Sequence, residues 1–481
     1  MGYINNTSTS HQQVDTIEQR IYNGYFQDDW KAANTLTLNF GLRYELPTPF
    51  VEEHDRQSNF VLDSGPCYLQ LITVAQRGPC GLPRALTRTD TNNFAPRLGL
   101  AWQTTSKTVV RSGFGIFYGR DEDLGVQRRL PNNPPFITSS TFAGDQTNPA
   151  FLLQQGFPVN ALNLAGGGIP NVNSFPFDFP TPYVVQWNVN VERAFAGNFL
   201  GQVGYTGSEA RKLPEVIAVN QAFPGTGNVN ARRPYQGYAN IQSYNPYINS
   251  TYNALLAKLE RRFSSGMTLL ASYTYGHSID GGGNQNDSND PGPQDARNLR
   301  AQKGSSNFDA RHRLVFSGLY QLPFPHSGGL LPALVRNWQL SGIFSAQTGQ
   351  PFTVTSSTDP TGTNTTARPN RLGDGSLPAD QRDPSHWFDT TAFVAPTCQC
   401  FGNSGRNILP APGLVNLDIG ISRDFGFHER FRLHFRGEAF NLANHPNFGL
   451  PAMAIGSPGV GIIGSVVTPE RQIQFAMKLH F

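Results

Sequence analysis

The chain has no run of about 18 apolar residues, so no membrane-spanning helix can be read from it. Charged residues are scarce as well, 15% of 481, against roughly 25% in soluble domains. The formal net charge of +3 denies the chain the strong positive field of a nucleic-acid binder, and no nucleic-acid partner is expected. The start, Met1-Gly2-Tyr3, lacks the basic and then apolar stretch of a signal peptide. The protein is therefore either cytosolic or preceded by a segment outside this sequence, and the rest of the chain favours the second. Only four cysteines occur, in two close pairs: Cys67 with Cys80, and Cys398 with Cys400. Such pairs suit an oxidising compartment. Free thiols remain an alternative. Cys-x-Cys does not have the usual zinc-ligand spacing.

Glycine (49), proline (36), phenylalanine (34) and tyrosine (16) are plentiful. That mixture suits many strands joined by turns and polar loops. The repeated unit is a strand pair with a tight turn, followed by a long loop. In the first unit Leu36, Leu38, Phe40, Leu42 and Tyr44 alternate with Thr35, Thr37, Asn39, Gly41 and Arg43. A period of two marks a strand with one apolar face. The unit recurs through "NFAPRLGLAW", "TPYVVQWNVNVER", "YNALLAKLERRF", "RHRLVFSGLYQL" and "LVNLDIGISRDF", and the chain ends on "RQIQFAMKLHF". This makes about thirteen strands near the length that a tilted membrane strand needs.

Every long connection falls on the same side: 46–92, 119–181, 208–250, 279–310, 348–413 and 443–469. Outer-membrane barrels have this asymmetry, with short periplasmic turns and long extracellular loops. Structureless loops of this length are rare in compact soluble domains. The apolar parity includes Leu259, Leu269 and Leu433; the opposite parity carries Lys258, Glu260, Arg432, Arg436 and Glu438. A lumen tolerates those charges. A lysine or arginine at the hydrocarbon midplane costs roughly 2–4 kcal/mol. Trp30, Tyr44, Trp102, Tyr118, Tyr275, Tyr320 and Trp338 gather near strand ends, as interfacial girdles do. The competing reading is an amphipathic sheet packed on a second sheet in a soluble domain.

Several of these segments resemble a known family. "FQDDWKAANTLTLNFGLRYE" and "NFAPRLGLAW" resemble mid-barrel strands of TonB-dependent receptors, and "HPNFGLP" with the C-terminal "RQIQFAMKLHF" resembles the end of the Oar-like group. The resemblance covers most of residues 20–481 and rests on the serial order of the motifs. It implies an all-β, antiparallel, up-and-down transmembrane barrel in the bacterial outer membrane, of which this chain supplies the C-terminal portion of a total of roughly 22 strands. Residues 1–19 are expected to be poorly structured. No plug domain, TonB box or carboxypeptidase-regulatory-like domain is readable. Expected partners are outer-membrane lipid, the TonB complex through that missing plug, the barrel-assembly machinery through the terminal Phe481, and an extracellular substrate of unknown identity.

Nothing in the sequence signals catalysis, and no enzyme activity or cofactor is expected. Asp28-Asp29, Glu52-Glu53 and Asp121-Glu122-Asp123 are adjacent pairs or runs, and neighbours in a strand point to opposite faces. His428, His434 and His445 fit no zinc motif. The loop 280–295 offers Asp280, Asp287, Asp290 and Asp295 as oxygen ligands for calcium, without the EF-hand order. Gly166–Gly168 has no phosphate-loop lysine after it. Two further classes stay open: a structural or adhesive barrel, and a soluble all-β binding or hydrolase domain.

Overall fold

The computed structural model describes residues 3–4, 6–11, 15–119, 127–143, 151–156, 169–282, 291–323, 337–427 and 431–481. One sheet of fifteen strands dominates, and two short strands lie off its main path. The other thirteen are β1 (Ile21–Ala33), β2 (Leu36–Pro47), β3 (Phe94–Thr105), β4 (Thr108–Tyr118), β5 (Tyr183–Phe195), β6 (Phe199–Ala218), β7 (Ile241–Ser264), β8 (Met267–Asp280), β9 (His312–Gln321), β10 (Gln339–Gln347), β11 (Leu414–Phe427), β12 (Phe431–Phe440) and β13 (Gln472–His480). Each pairs antiparallel with the next in sequence, so the path is an unbroken meander. Among the described pairings β1 and β13 each have one neighbour.

The register explains why a period of two was enough to define the faces. Leu36, Trp102, Val110, Val191, Val203, Ala257, Tyr273, Leu314, Ala346 and Val415 form one continuous row across β2 to β11. Cross-strand partners share a face. A slip of one residue anywhere would carry that strand's apolar set to the other side. The turns on one end are tight: Ser265 (φ 49) and Gly266 (φ 75) join β7 to β8 in the left-handed conformation that two-residue hairpins need.

The structure departs from the sequence pattern in three places. Residues 208–250 are not one loop. β6 runs on to Ala218 and β7 starts at Ile241, so the pair projects well past the membrane. Their alternation fades there because these ends pack on other loops instead of on lipid. In the N-terminal 1–19 segment, Tyr3–Ile4 pairs with Phe151–Leu152 and Asn6–His11 pairs with Thr138–Ala143; the polar "NTSTSH" carries no apolar parity to reveal this. The described parts of the long connections, structureless in the sequence pattern, fold into two compact caps.

The first cap buries Val61, Ile72, Val74, Leu86, Leu130, Phe175 and Tyr244. Phe175 and Tyr244 stack at 4.5 Å, which ties the cap to the projecting end of β7. Asparagines take the place of a regular ladder. The Asn59 amide donates to the Phe175 carbonyl at 2.9 Å and accepts the Phe175 N–H at 2.9 Å, while Asn133 donates to the carbonyls of Ser58 and Asn173. The second cap buries Phe352, Val354, Phe388, Phe393 and Leu409. Gln221 and Gln294 join the caps: the Gln221 amide donates to the Gln294 carbonyl at 2.7 Å, and the Gln294 amide donates to the Gly402 carbonyl at 2.9 Å.

Candidate functional site

β7 to β12 curl around a trough of about 800 Å³. Alternation aims Lys258, Glu260 and Arg262 of β7 into it, with Asp418 of β11 and Arg436 and Glu438 of β12. Leu270, Ile343 and Phe440 break the polarity. The charges are spaced two apart along a strand, so they sit side by side on one face. The Lys258 ammonium lies 2.9 Å from the Glu260 carboxylate. Arg436 pairs with Glu438, whose other oxygen accepts from the Gln474 amide at 2.9 Å. Farther along the same face Arg111 meets Glu192 at 3.4 Å. Such pairs leave the wall polar and nearly neutral.

The other face is apolar and bare. Val203, Phe475 and Met477 are 56%, 72% and 71% exposed. A protein in water does not leave so large an apolar surface uncovered; hydrocarbon covers it in an outer-membrane barrel. Aromatic rings gather where this face meets the caps. Tyr44 contacts Phe94 at 4.9 Å, and Tyr118 contacts Tyr183 at 5.6 Å. At the turn end Trp338 meets Phe425 and Phe435 edge-on.

The cysteines lie in the caps. Cys67 and Cys80 are joined in the first, with Cα atoms 5.7 Å apart; Cys398 and Cys400 are joined in the second, at 5.3 Å. Arg432 is on β12 opposite His480, with the parity of Arg436. Phe481 follows β13 and is 93% exposed.

The acidic and histidine candidates separate. Asp28 and Asp29 oppose Phe40 and Asn39, on different faces. Glu52 is fully buried in the first cap. Burial pushes its carboxyl up, but the Arg56 side chain and the backbone N–H groups of Arg56, His54 and Thr16 outweigh this and hold it at about 2. His434 faces Asp424 at 2.8 Å, and His445 is held by Asn441 through its backbone. Asp280 pairs with Arg406, and Asp295 pairs with Arg297 at 3.1 Å. Asp121–Asp123, Gly166–Gly168, Asp287, Asp290 and His428 lie outside the described residues. Among the described residues no group of three or more His, Cys, Asp or Glu side chains is placed to hold a metal.

The cap cores gave little warning in sequence. Their one signal is aromatic clusters inside polar loops, "FPFDFP" at 175–180 and "HWF" at 386–388.

Similar solved structures are large outer-membrane receptors and transporters. The ferripyoverdine receptor of the outer membrane of Pseudomonas aeruginosa, bound to ferripyoverdine, is 10% identical with a TM-score of 0.47, over 98% of this chain and 39% of its own. The ferric citrate transporter FecA in its unliganded form is 11% identical with a TM-score of 0.46, over 96% and 45%. The copper transporter OprC is 10% identical with a TM-score of 0.44, over 97% and 48%. The chain thus spans less than half the length of each of these. No curated protein matches it in sequence. Residues 1–474 match the family described as outer membrane beta barrel domain, which is nearly the whole chain. The chain therefore belongs to the outer membrane beta barrel domain family, and its place is the bacterial outer membrane.

Proposed function

We propose that the chain forms the wall and extracellular surface of a TonB-dependent receptor, through which a solute captured outside is admitted. The observation that carries this reading is the trough of paired charges lying between a lipid-facing exterior and two folded caps. The serial order of the receptor-like strand motifs supports the same reading. In this proposal a plug and its TonB box belong to the parent protein and supply gating and energy coupling. Terminal Phe481 serves the barrel-assembly machinery. The chain catalyses nothing itself.

The test uses cells with the natural gene intact or deleted. Uptake of labelled ferric chelates, cobalamin and oligosaccharides is measured with and without a protonophore. Uptake of at least one solute should require both the gene and the proton-motive force. Deletion that alters cell attachment and leaves every uptake unchanged would favour an adhesive barrel.

A further inference from the structure

The lipid-facing side is not evenly filled. Beside β5 to β9 it holds a groove of about 400 Å³, floored by Gly201, Ala257 and Ala271 and walled by Phe195 and Tyr273, with Arg193 at its turn end. The small residues lie diagonally about Leu259, which stands between Gly201 and Ala271 in register, and the larger walls rise on either side. A Cβ built on Gly201 would come within 2.9 Å of the Phe195 ring, so the ring lies over the glycine. One row nearer the turn Arg261 faces the same side, opposite Phe199 and Leu269. Two strands separate the arginines, roughly 10 Å. Both sit within a few residues of the tight turns at Ala196–Asn198 and Ser265–Gly266, the depth of the periplasmic headgroups.

Their charges set them apart. Three inward-facing cations of the wall have carboxylates: Lys258 has Glu260, Arg111 has Glu192, and Arg436 has Glu438. Arg193 and Arg261 have no acidic partner among the described residues. They lie on aromatic rings instead, Arg193 5.9 Å from the Phe195 centroid and Arg261 5.4 Å from that of Phe199. The Arg261 Nε–H is buried with no hydrogen-bond acceptor, and its Nη1 reaches only the Met267 sulfur at 3.5 Å. A buried guanidinium N–H without an acceptor is costly. At this depth on the lipid side, the anion that exposed Arg193 and the accessible part of Arg261 can meet is a phosphodiester.

We infer that this groove is a binding site for an anionic phospholipid of the periplasmic leaflet, with an acyl chain on Gly201, Ala257 and Ala271 and the headgroup phosphate held between Arg193 and Arg261. The site depends on the outer-membrane placement and is independent of the receptor reading. It fastens the β5–β8 wall to one leaflet and fixes its depth. A basic residue near a charged lipid surface is worth about fivefold in affinity, so two give a preference of roughly thirtyfold for the anionic lipid.

The natural protein in detergent is loaded with phosphatidylglycerol, phosphatidylcholine or inorganic phosphate, and retained ligand is read by native mass spectrometry. Phosphatidylglycerol should be retained over phosphatidylcholine by roughly thirtyfold. The double variant R193Q/R261Q should lose most of that ratio, while Ala271→Leu should lower retention of both lipids and keep the ratio. Ala439→Leu, on the same face of β12 away from the groove, is the folding control and should change neither. Equal retention of the two lipids by the unaltered protein overturns the proposal without any variant. So does retention of neither lipid, survival of the ratio in R193Q/R261Q, or displacement of phosphatidylglycerol by inorganic phosphate at comparable concentration.

Discussion

Placing arginine at Val203 tests the membrane face directly. Val203 lies on β6 between Val191 and Ala257, and it is 56% exposed. It stands five residues past Asn198, at about 2.3 Å of depth per residue for a strand tilted near 45°, hence about 12 Å above the turn. That is close to the middle of an apolar band of roughly 25 Å. Val203→Arg should therefore cost roughly 2–4 kcal/mol of folding stability. Its neighbour Gln202 faces the lumen, where it opposes Glu192 and Lys258 and donates to the Asn190 side chain at 3.1 Å. Gln202→Arg gains a carboxylate neighbour and loses one hydrogen bond, so it should change stability by less than about 1 kcal/mol. Leu269 supplies the depth control. It faces lipid beside Arg261, two residues from the start of β8, and Leu269→Arg should cost about 0–1 kcal/mol. The assay is guanidinium-induced unfolding of the natural protein in lipid vesicles, with all variants in one lipid. Equal losses for Val203→Arg and Gln202→Arg would refute the face assignment. Equal losses for Val203→Arg and Leu269→Arg would refute the depth.

The caps give three further predictions. Glu52 is held at about 2 against an ordinary 4.5, so its contribution is complete above about pH 4.5 and is lost as pH falls towards 2. Protection of the amides in residues 48–60, taken against their intrinsic rates at each pH, should fall in that acid window, and Glu52→Gln should remove this loss while lowering protection at pH 7. Cys67→Ser should weaken the first cap by up to roughly 3 kcal/mol in the chain-entropy model, seen as faster proteolysis of residues 61–82 with the strands intact; free thiols at both positions in protein isolated without reductant would defeat this. Phe175→Ala should cost roughly 3–5 kcal/mol within the cap, because it removes the ring stacked on Tyr244 and leaves a cavity; unchanged cap protection in hydrogen exchange would contradict the packing.

The meander was legible from residues 20 to 481 because the solvent imposes it. Hydrocarbon requires one apolar face and satisfies no free backbone group, so each strand must alternate and each must pair with its neighbour. Leu36 to Tyr44 and Val415 to Ile421 carry that pattern in adjacent residues, where a reader of the chain can see it. The parity of Lys258, Glu260, Arg436 and Glu438 was visible for the same reason.

The caps, the projecting ends of β6 and β7, and the lipid-side groove follow no local period. Asn59 meets Phe175 across 116 residues, and Gln221 meets Gln294 across 73. The groove needs Gly201, Ala257 and Ala271 at diagonal positions about Leu259, which only strand register supplies. Sequence by itself decided which face of each strand meets lipid, since that depends on the residue and its immediate neighbours. Tertiary structure alone decided where unpaired arginines, buried amides and small residues come together. Those contacts join positions that the chain keeps far apart, and their energy appears only once both partners leave water together.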